Sequence, residues 1–165
     1  MRKFSAAVVG AMVFVFVAAL GVLMIGMRTK SPAALTAVRR FNRAVGNPRQ
    51  MKTAGTAGAY AAIIRHVGRT TGQSYETPVG ATATDDGFVI ALPYGTQSDW
   101  LKNVLASGSA TLVHEGSTYE VDQPEVVPTS SVVQHLAARE QRMLRLFAVD
   151  QCLRLHRVEP SVVAM

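Results

Sequence analysis

From Phe4 to Met27 the chain runs without a charged residue, built mainly of Val, Ala, Phe, Met and Leu. As a helix at about 1.5 Å per residue this run is ~36 Å long, enough for the ~30 Å hydrocarbon core of a bilayer with some tilt. The pattern predicts a membrane-spanning anchor. A signal peptide is the rival reading, but the run is long for one and no convincing small-x-small cleavage site precedes Arg28. Beyond it, Leu35, Val38, Phe41 and Val45 recur at helical spacing with arginines between them, predicting an amphipathic helix over Ala34–Val45. Asn47-Pro48 should end it, and the small residues from Thr53 to Gly58 read as a linker.

The pattern then changes to short apolar runs punctuated by turns. Strands are expected at Tyr60–Val67, Tyr75–Thr84, Phe88–Leu92, Ala110–His114, Thr118–Val127 and Gln151–Val158, with tight turns at Asp86-Gly87 and Glu115-Gly116. Ser98 is placed to cap a short helix carrying Trp100, Leu101, Val104 and Leu105, closed by Gly108. Ser131 with Gln134 suggests a capping box for a helix to about Phe147, with Val133, Leu136, Met143, Leu144 and Phe147 facing inward. About six strands with few helices imply a mainly β fold: an antiparallel sheet that closes into a barrel. The expected organisation is an anchor at 4–27, a basic helix and linker at 28–57, and one barrel domain at 58–160.

Charge sharpens this picture. Residues 1–75 hold eleven Lys or Arg and no acid, whereas residues 76–165 hold six basic and all eleven acidic residues, so the two parts carry +11 and −5. Such asymmetry points to an anionic surface or ligand met by the first part. Arg28, Lys30, Arg39, Arg40 and Arg43 follow the apolar run and outnumber Arg2 and Lys3 before it, which puts the C-terminal domain in the cytoplasm by the positive-inside bias. The same residues suit the anionic inner leaflet. The basic residues are dispersed and no nucleic-acid motif accompanies them. Cys152 is the sole cysteine, so neither an intrachain disulfide nor a thiolate zinc site is expected. His66, His114, His135 and His156 lack metal-site spacing and read as surface or strand residues. No nucleophile elbow, dinucleotide fingerprint or Walker loop occurs. Asp85-Asp86 reads as a turn, and the acids from Glu115 to Glu125 as the solvated face of a hairpin.

One two-part signature carries candidate chemistry. His66-Val67-Gly68-Arg69-Thr70-Thr71-Gly72-Gln73 ends a strand in a loop with one guanidinium, two hydroxyls and two glycines, which lets an anion approach the backbone. Leu92-Pro93-Tyr94-Gly95-Thr96-Gln97-Ser98-Asp99-Trp100-Leu101-Lys102-Asn103 leaves another strand and enters a helix with a polar first turn. These motifs, with Thr77-Pro78, in this order and spacing, resemble the deazaflavin-dependent nitroreductase family, also described as quinone reductases using the reduced deazaflavin coenzyme F(420). The resemblance runs from about Arg39 to Arg157. It implies a split β-barrel with the coenzyme in a surface groove. It further implies that Arg69, Thr70, Thr71 and Gly72 hold the phosphate and acidic tail, and that Pro93, Tyr94, Gly95 and Thr96 line the ring. Ser98, Asp99, Trp100 and Asn103 would lie beside them at a helix N-terminus, with Asp99 capping or orienting a neighbour and Trp100 equally suited to a core role.

Many relatives have a second basic residue at the position of Thr70 and another near Tyr75, so this loop has fewer cations of its own. The resemblance implies tyrosines near the C-terminal helix that shape the pocket or donate a proton, yet no tyrosine follows Tyr119, and Tyr94 or Ser98 is then the nearest candidate donor. The implied activity is hydride transfer from reduced deazaflavin to a quinone, a nitro compound or another lipophilic acceptor at the membrane. Two alternatives accompany it: a non-catalytic module holding deazaflavin or a fatty acyl ligand, and an FMN-binding split barrel. A homodimer is compatible with related barrels.

Overall fold

The computed structural model describes residues 4–158, with side chains from Val8 onward. Arg2, Lys3 and the last two residues of the expected 58–160 domain lie outside the described residues. Helix α1 (Phe4–Arg28) follows the uncharged run. Its Val8–Arg28 stretch is apolar and long enough to cross a membrane, and most of it is exposed, Met27 in the last turn being buried.

Helix α2 (Pro32–Phe41) does not end at Asn47-Pro48 as expected. It passes through a wider π turn, Asn42–Gly46, into a further turn, α3 (Asn47–Gln50). Proline lacks an N–H and its ring crowds the carbonyl four residues back. Here that carbonyl belongs to Ala44, inside the widened turn, so the helix accommodates Pro48 by loosening just before it.

Seven strands follow rather than six: β1 (Ala62–Val67), β2 (Ser74–Val79), β3 (Ala81–Ala83), β4 (Gly87–Ala91), β5 (Ser109–His114), β6 (Ser117–Pro128) and β7 (Gln151–Arg157). The extra strand comes from the Tyr75–Thr84 run, which breaks at Gly80. All pairings are antiparallel, in the order β2-β1-β5-β6-β7-β4-β3. Strands β2 and β3 therefore occupy opposite edges of the sheet although one residue joins them. The sheet must curl to satisfy both conditions. The result is a half-barrel whose two edges meet at Gly80 without pairing along their length.

Alternation decides what lies inside. Ile64, Phe88, Ile90, Leu112, Val121, Leu153 and Leu155 form the interior, together with Leu101 and Val104 from helix α4 (Asp99–Ser107). Strand β4 is buried on both faces, because Val89 points outward into a second cluster with Val127, Val132, Leu136, Leu144, Val149 and Cys152. That cluster lies under helices α5 (Thr129–Val132) and α6 (Ala138–Leu146). Strand β6 is continuous except for a bulge between Asp122 and Glu125, where Gln123 takes a positive φ of 49° and Pro124 removes a ladder donor.

Two capping expectations fail. Ser131 does not open a long helix: its hydroxyl donates to the Pro128 carbonyl, and the Gln134 side chain donates to the Ser131 carbonyl, closing a short turn instead. Helix α6 starts later, where Glu140 accepts from the Ala137 N–H. The shifted start rotates Met143 outward to 47% exposure, while Leu144 keeps its inward place. Ser98 occupies the position before α4, but its side chain makes no capping bond. Gly108 closes that helix in the left-handed conformation, at φ 74°, as its composition predicts.

Candidate functional site

The curl of the sheet leaves a groove of about 1250 Å³ where β1 and β4 end, lined on one side by residues of α2 and of the π turn that follows it. The two halves of the sequence signature, separated in the chain, meet here. Gly68, Arg69, Thr70 and Thr71 form one wall; Pro93, Tyr94, Gly95, Ser98, Asp99, Trp100 and Asn103 form the other. Gly72 and Thr96 are not among the lining residues. Gly68 has a packing reason to be glycine, since a Cβ there would collide with the Thr71 hydroxyl and the Tyr75 ring. Trp100 is half-buried, lines the groove and also packs on the core.

A chain of hydrogen bonds orders the walls. Asn103, 5% exposed, uses Oδ1 to accept from the Arg69 backbone N–H at 3.2 Å and from Arg69 Nη1 at 2.8 Å. Its Nδ2 lies 3.1 Å from His66 Nδ1, and His66 Nε2 lies 3.2 Å from Thr77 Oγ1. An amide nitrogen can only donate, so His66 Nδ1 accepts and the ring hydrogen sits on Nε2, directed at Thr77. Burial holds the His66 pKa below its ordinary value, consistent with this neutral tautomer. His66 is thus a strand residue, the second of the two readings the sequence left open, with its ring turned inward. It shares the inward parity of Ala62 and Ile64 on β1, a signal legible in the alternation.

Asp99 is engaged on both sides. Its Oδ1 lies 3.4 Å from Arg69 Nη2 and its Oδ2 lies 3.2 Å from Arg43 Nη2. The carboxylate therefore orients two guanidiniums, and because it is 62% exposed the pairs matter for position more than for stability. Arg39 and Arg40 also line the groove, and among the described residues neither forms an ion pair. Four arginines face two lining acids, Glu76 and Asp99, so the groove carries surplus positive charge. Sequence reading gave Arg39, Arg40 and Arg43 to the membrane surface. Their role in the groove was hidden because α2 reaches the barrel only in three dimensions.

Tyr94 stands opposite. Asn42 of the π turn donates to its Oη at 2.7 Å, which leaves the phenolic hydrogen free to point elsewhere. Burial raises the Tyr94 pKa against the opposing effect of that hydrogen bond, so the phenol is protonated at neutral pH. Ser98 lies nearby on the same wall, its hydroxyl unused by the helix. No group of three or more metal-ligating side chains occurs among the described residues. Cys152 is fully buried and its thiol pKa is raised by burial, which makes it inert.

Fold and site together define a curled antiparallel half-barrel with an arginine-lined groove at one end. No family profile and no curated protein sequence matches the chain. Among solved structures it is similar to the protein Atu2129 of Agrobacterium tumefaciens str. C58, a protein of unknown function, at 14% identity and a TM-score of 0.46. The match covers 61% of this chain, which spans about half (49%) of that one. It is also similar to an FMN-binding protein from Syntrophomonas wolfei subsp. wolfei, at 14% identity and a TM-score of 0.38, over 79% of this chain and 99% of that one. Likenesses this remote carry no inference about ligand or chemistry.

Proposed function

We propose that this chain is a membrane-anchored oxidoreductase that uses a reduced deazaflavin coenzyme to reduce a lipophilic acceptor such as a quinone or nitro compound. The observation that carries the reading is the convergence of both signature halves with Arg39, Arg40 and Arg43 on one groove. The groove supports the reading by its size and its surplus positive charge. At about 1250 Å³ it exceeds the roughly 300–1,000 Å³ of common ligand pockets, leaving room for a second molecule. The loop's own shortage of cations is offset by the arginines of α2, which suit a phosphate and an acidic tail.

In this reading Arg69 and Arg43 grip the anionic end, with Asp99 setting their directions and Asn103 bracing Arg69 from behind. Thr70 and Thr71 offer hydroxyl donors beside them. When bound, the reduced coenzyme supplies a hydride, chemistry that protein side chains lack. Tyr94 delivers the accompanying proton: its phenol is protonated and held by Asn42, as a general acid requires. Helix α1 brings the groove close to a bilayer, where a quinone-like acceptor concentrates. The cytoplasmic orientation of the domain follows from the positive-inside bias.

The test is titration of the full chain in nanodiscs with reduced deazaflavin coenzyme, followed by its absorbance on adding a menaquinone analogue. Binding with acceptor-dependent oxidation supports the reading, and binding without oxidation points to a carrier. No binding, or copurified yellow FMN, removes the cofactor assignment. Arg69→Ala is expected to weaken coenzyme binding about ten- to a hundredfold, the range for a lost charge-assisted contact.

A further inference from the structure

A second cavity, of about 420 Å³, lies where the C-terminal end of α1 meets α6. Arg28, Lys30 and Arg145 line it, with Asp150 as its one acid, and Leu144 and Val149 provide apolar walls. Arg28 is fixed there because its Nη1 donates to the Arg145 and Leu146 carbonyls at 3.1 and 2.7 Å, capping the negative end of the α6 dipole. Lys30 has an ammonium shielded from solvent with no hydrogen-bond partner among the described residues, and Asp150 Oδ1 stands 3.7 Å away. Three cations thus surround one acid, and one of the three has donors to spare.

The position of this cavity identifies what fills it. Helix α1 has its length of ~37 Å at about 1.5 Å per residue between Phe4 and Arg28, so its last turn lies at the headgroup level of any bilayer it spans. On α6, which meets the end of α1 through these bonds, Met143 and Leu146 are 47% exposed beside the exposed arginines Arg139, Arg142 and Arg145. Exposed apolar side chains among cations are the pattern of a helix lying in a membrane interface. We infer that the α1–α6 junction binds the phosphate of an anionic phospholipid, seating the barrel on the membrane through Lys30 and Arg145. The inference rests on the anchor reading of α1.

The experiment uses the full chain in nanodiscs of phosphatidylcholine containing phosphatidylglycerol, with lipids retained on the protein counted by native mass spectrometry. The wild type is expected to retain phosphatidylglycerol preferentially. Lys30→Gln and Arg145→Gln should each lower that preference about fivefold, Asp150→Asn should raise it, and Lys30→Arg should preserve it. Equal retention of both lipids by the wild type, or an unchanged preference in both neutralised variants, overturns the site. So does a thermal midpoint raised by inorganic phosphate alone without lipid preference, which would mark a free-anion site. Alkaline carbonate extraction separates the two ideas. Wild type released to the supernatant removes the anchor itself, whereas Lys30→Gln that stays in the pellet yet loses lipid preference locates the loss at the junction.

Discussion

The two ends of strand β4 put similar residue types to opposite uses. At its start, Asp86 is clamped by Arg154 Nη2 at 2.6 Å, by the Thr84 hydroxyl at 2.9 Å and by His156 Nδ1 at 3.5 Å. Nearby, the Arg157 guanidinium lies 4.6 Å from the Tyr119 ring centre and 5.5 Å from that of Phe88. The carboxylate there meets its partners on β7. At the other end, past Leu92, the strand opens into the groove, where Asp99 must serve both Arg43 and Arg69 while Arg39 and Arg40 have no acid. Charge is thus matched at one end and left in surplus at the other. The difference lies in whether tertiary neighbours neutralise the charge.

The sharpest way to divide the ends is Phe88→Ala against Tyr94→Phe. Phe88 is fully buried, so its truncation should cost about 3–5 kcal/mol in chemical denaturation. Tyr94→Phe keeps the ring and should leave the denaturation midpoint nearly unchanged, while acceptor-dependent turnover falls about a hundredfold or more with coenzyme affinity retained. Turnover that survives the loss of the hydroxyl would transfer the proton-donor role to Ser98.

Asn103→Leu tests whether the groove end is ordered from behind. It strips partners from His66 Nδ1 and the Arg69 N–H, so a loss of about 1–3 kcal/mol is expected together with weaker coenzyme binding. Stability loss without any binding change would mean that Arg69 needs no brace.

Acid should reach the two ends at different pH. The folded His66 pKa lies below its ordinary 6.5, so the unfolded chain takes up the proton first. Its contribution is fully present above about 6.5 and is lost as pH falls below that value. Asp86 is held at about 2, chiefly by the Arg154 hydrogen bond and then by Thr84, against an ordinary 3.8. Its contribution is present above 3.8 and is lost as pH falls toward about 2. Denaturation midpoints measured against pH should lose the upper step in His66→Gln and the lower one in Asp86→Asn. The second effect is the smallest of the set, because the Asp86 side chain is half exposed and its ion pairs are screened.

The sequence by itself determined the apolar first helix, most of the strands and the residues of both signature halves, because these depend on local periodicity and turn chemistry. Short apolar runs bounded by turns marked the strands without knowledge of any partner strand, and Gly108 announced its own helix end. Tertiary structure alone decided the rest. The break at Gly80 turns one apparent strand into the two edges of the sheet, a consequence of curling that no single segment displays. Helix α2 reads as membrane-directed until the fold lays Arg39, Arg40 and Arg43 across the groove. His66 reads as an ordinary strand histidine until Asn103, thirty-seven residues away, fixes its tautomer. Periodicity reports which face of an element is buried; charge pairing and hydrogen-bond direction depend on what another element brings to that face.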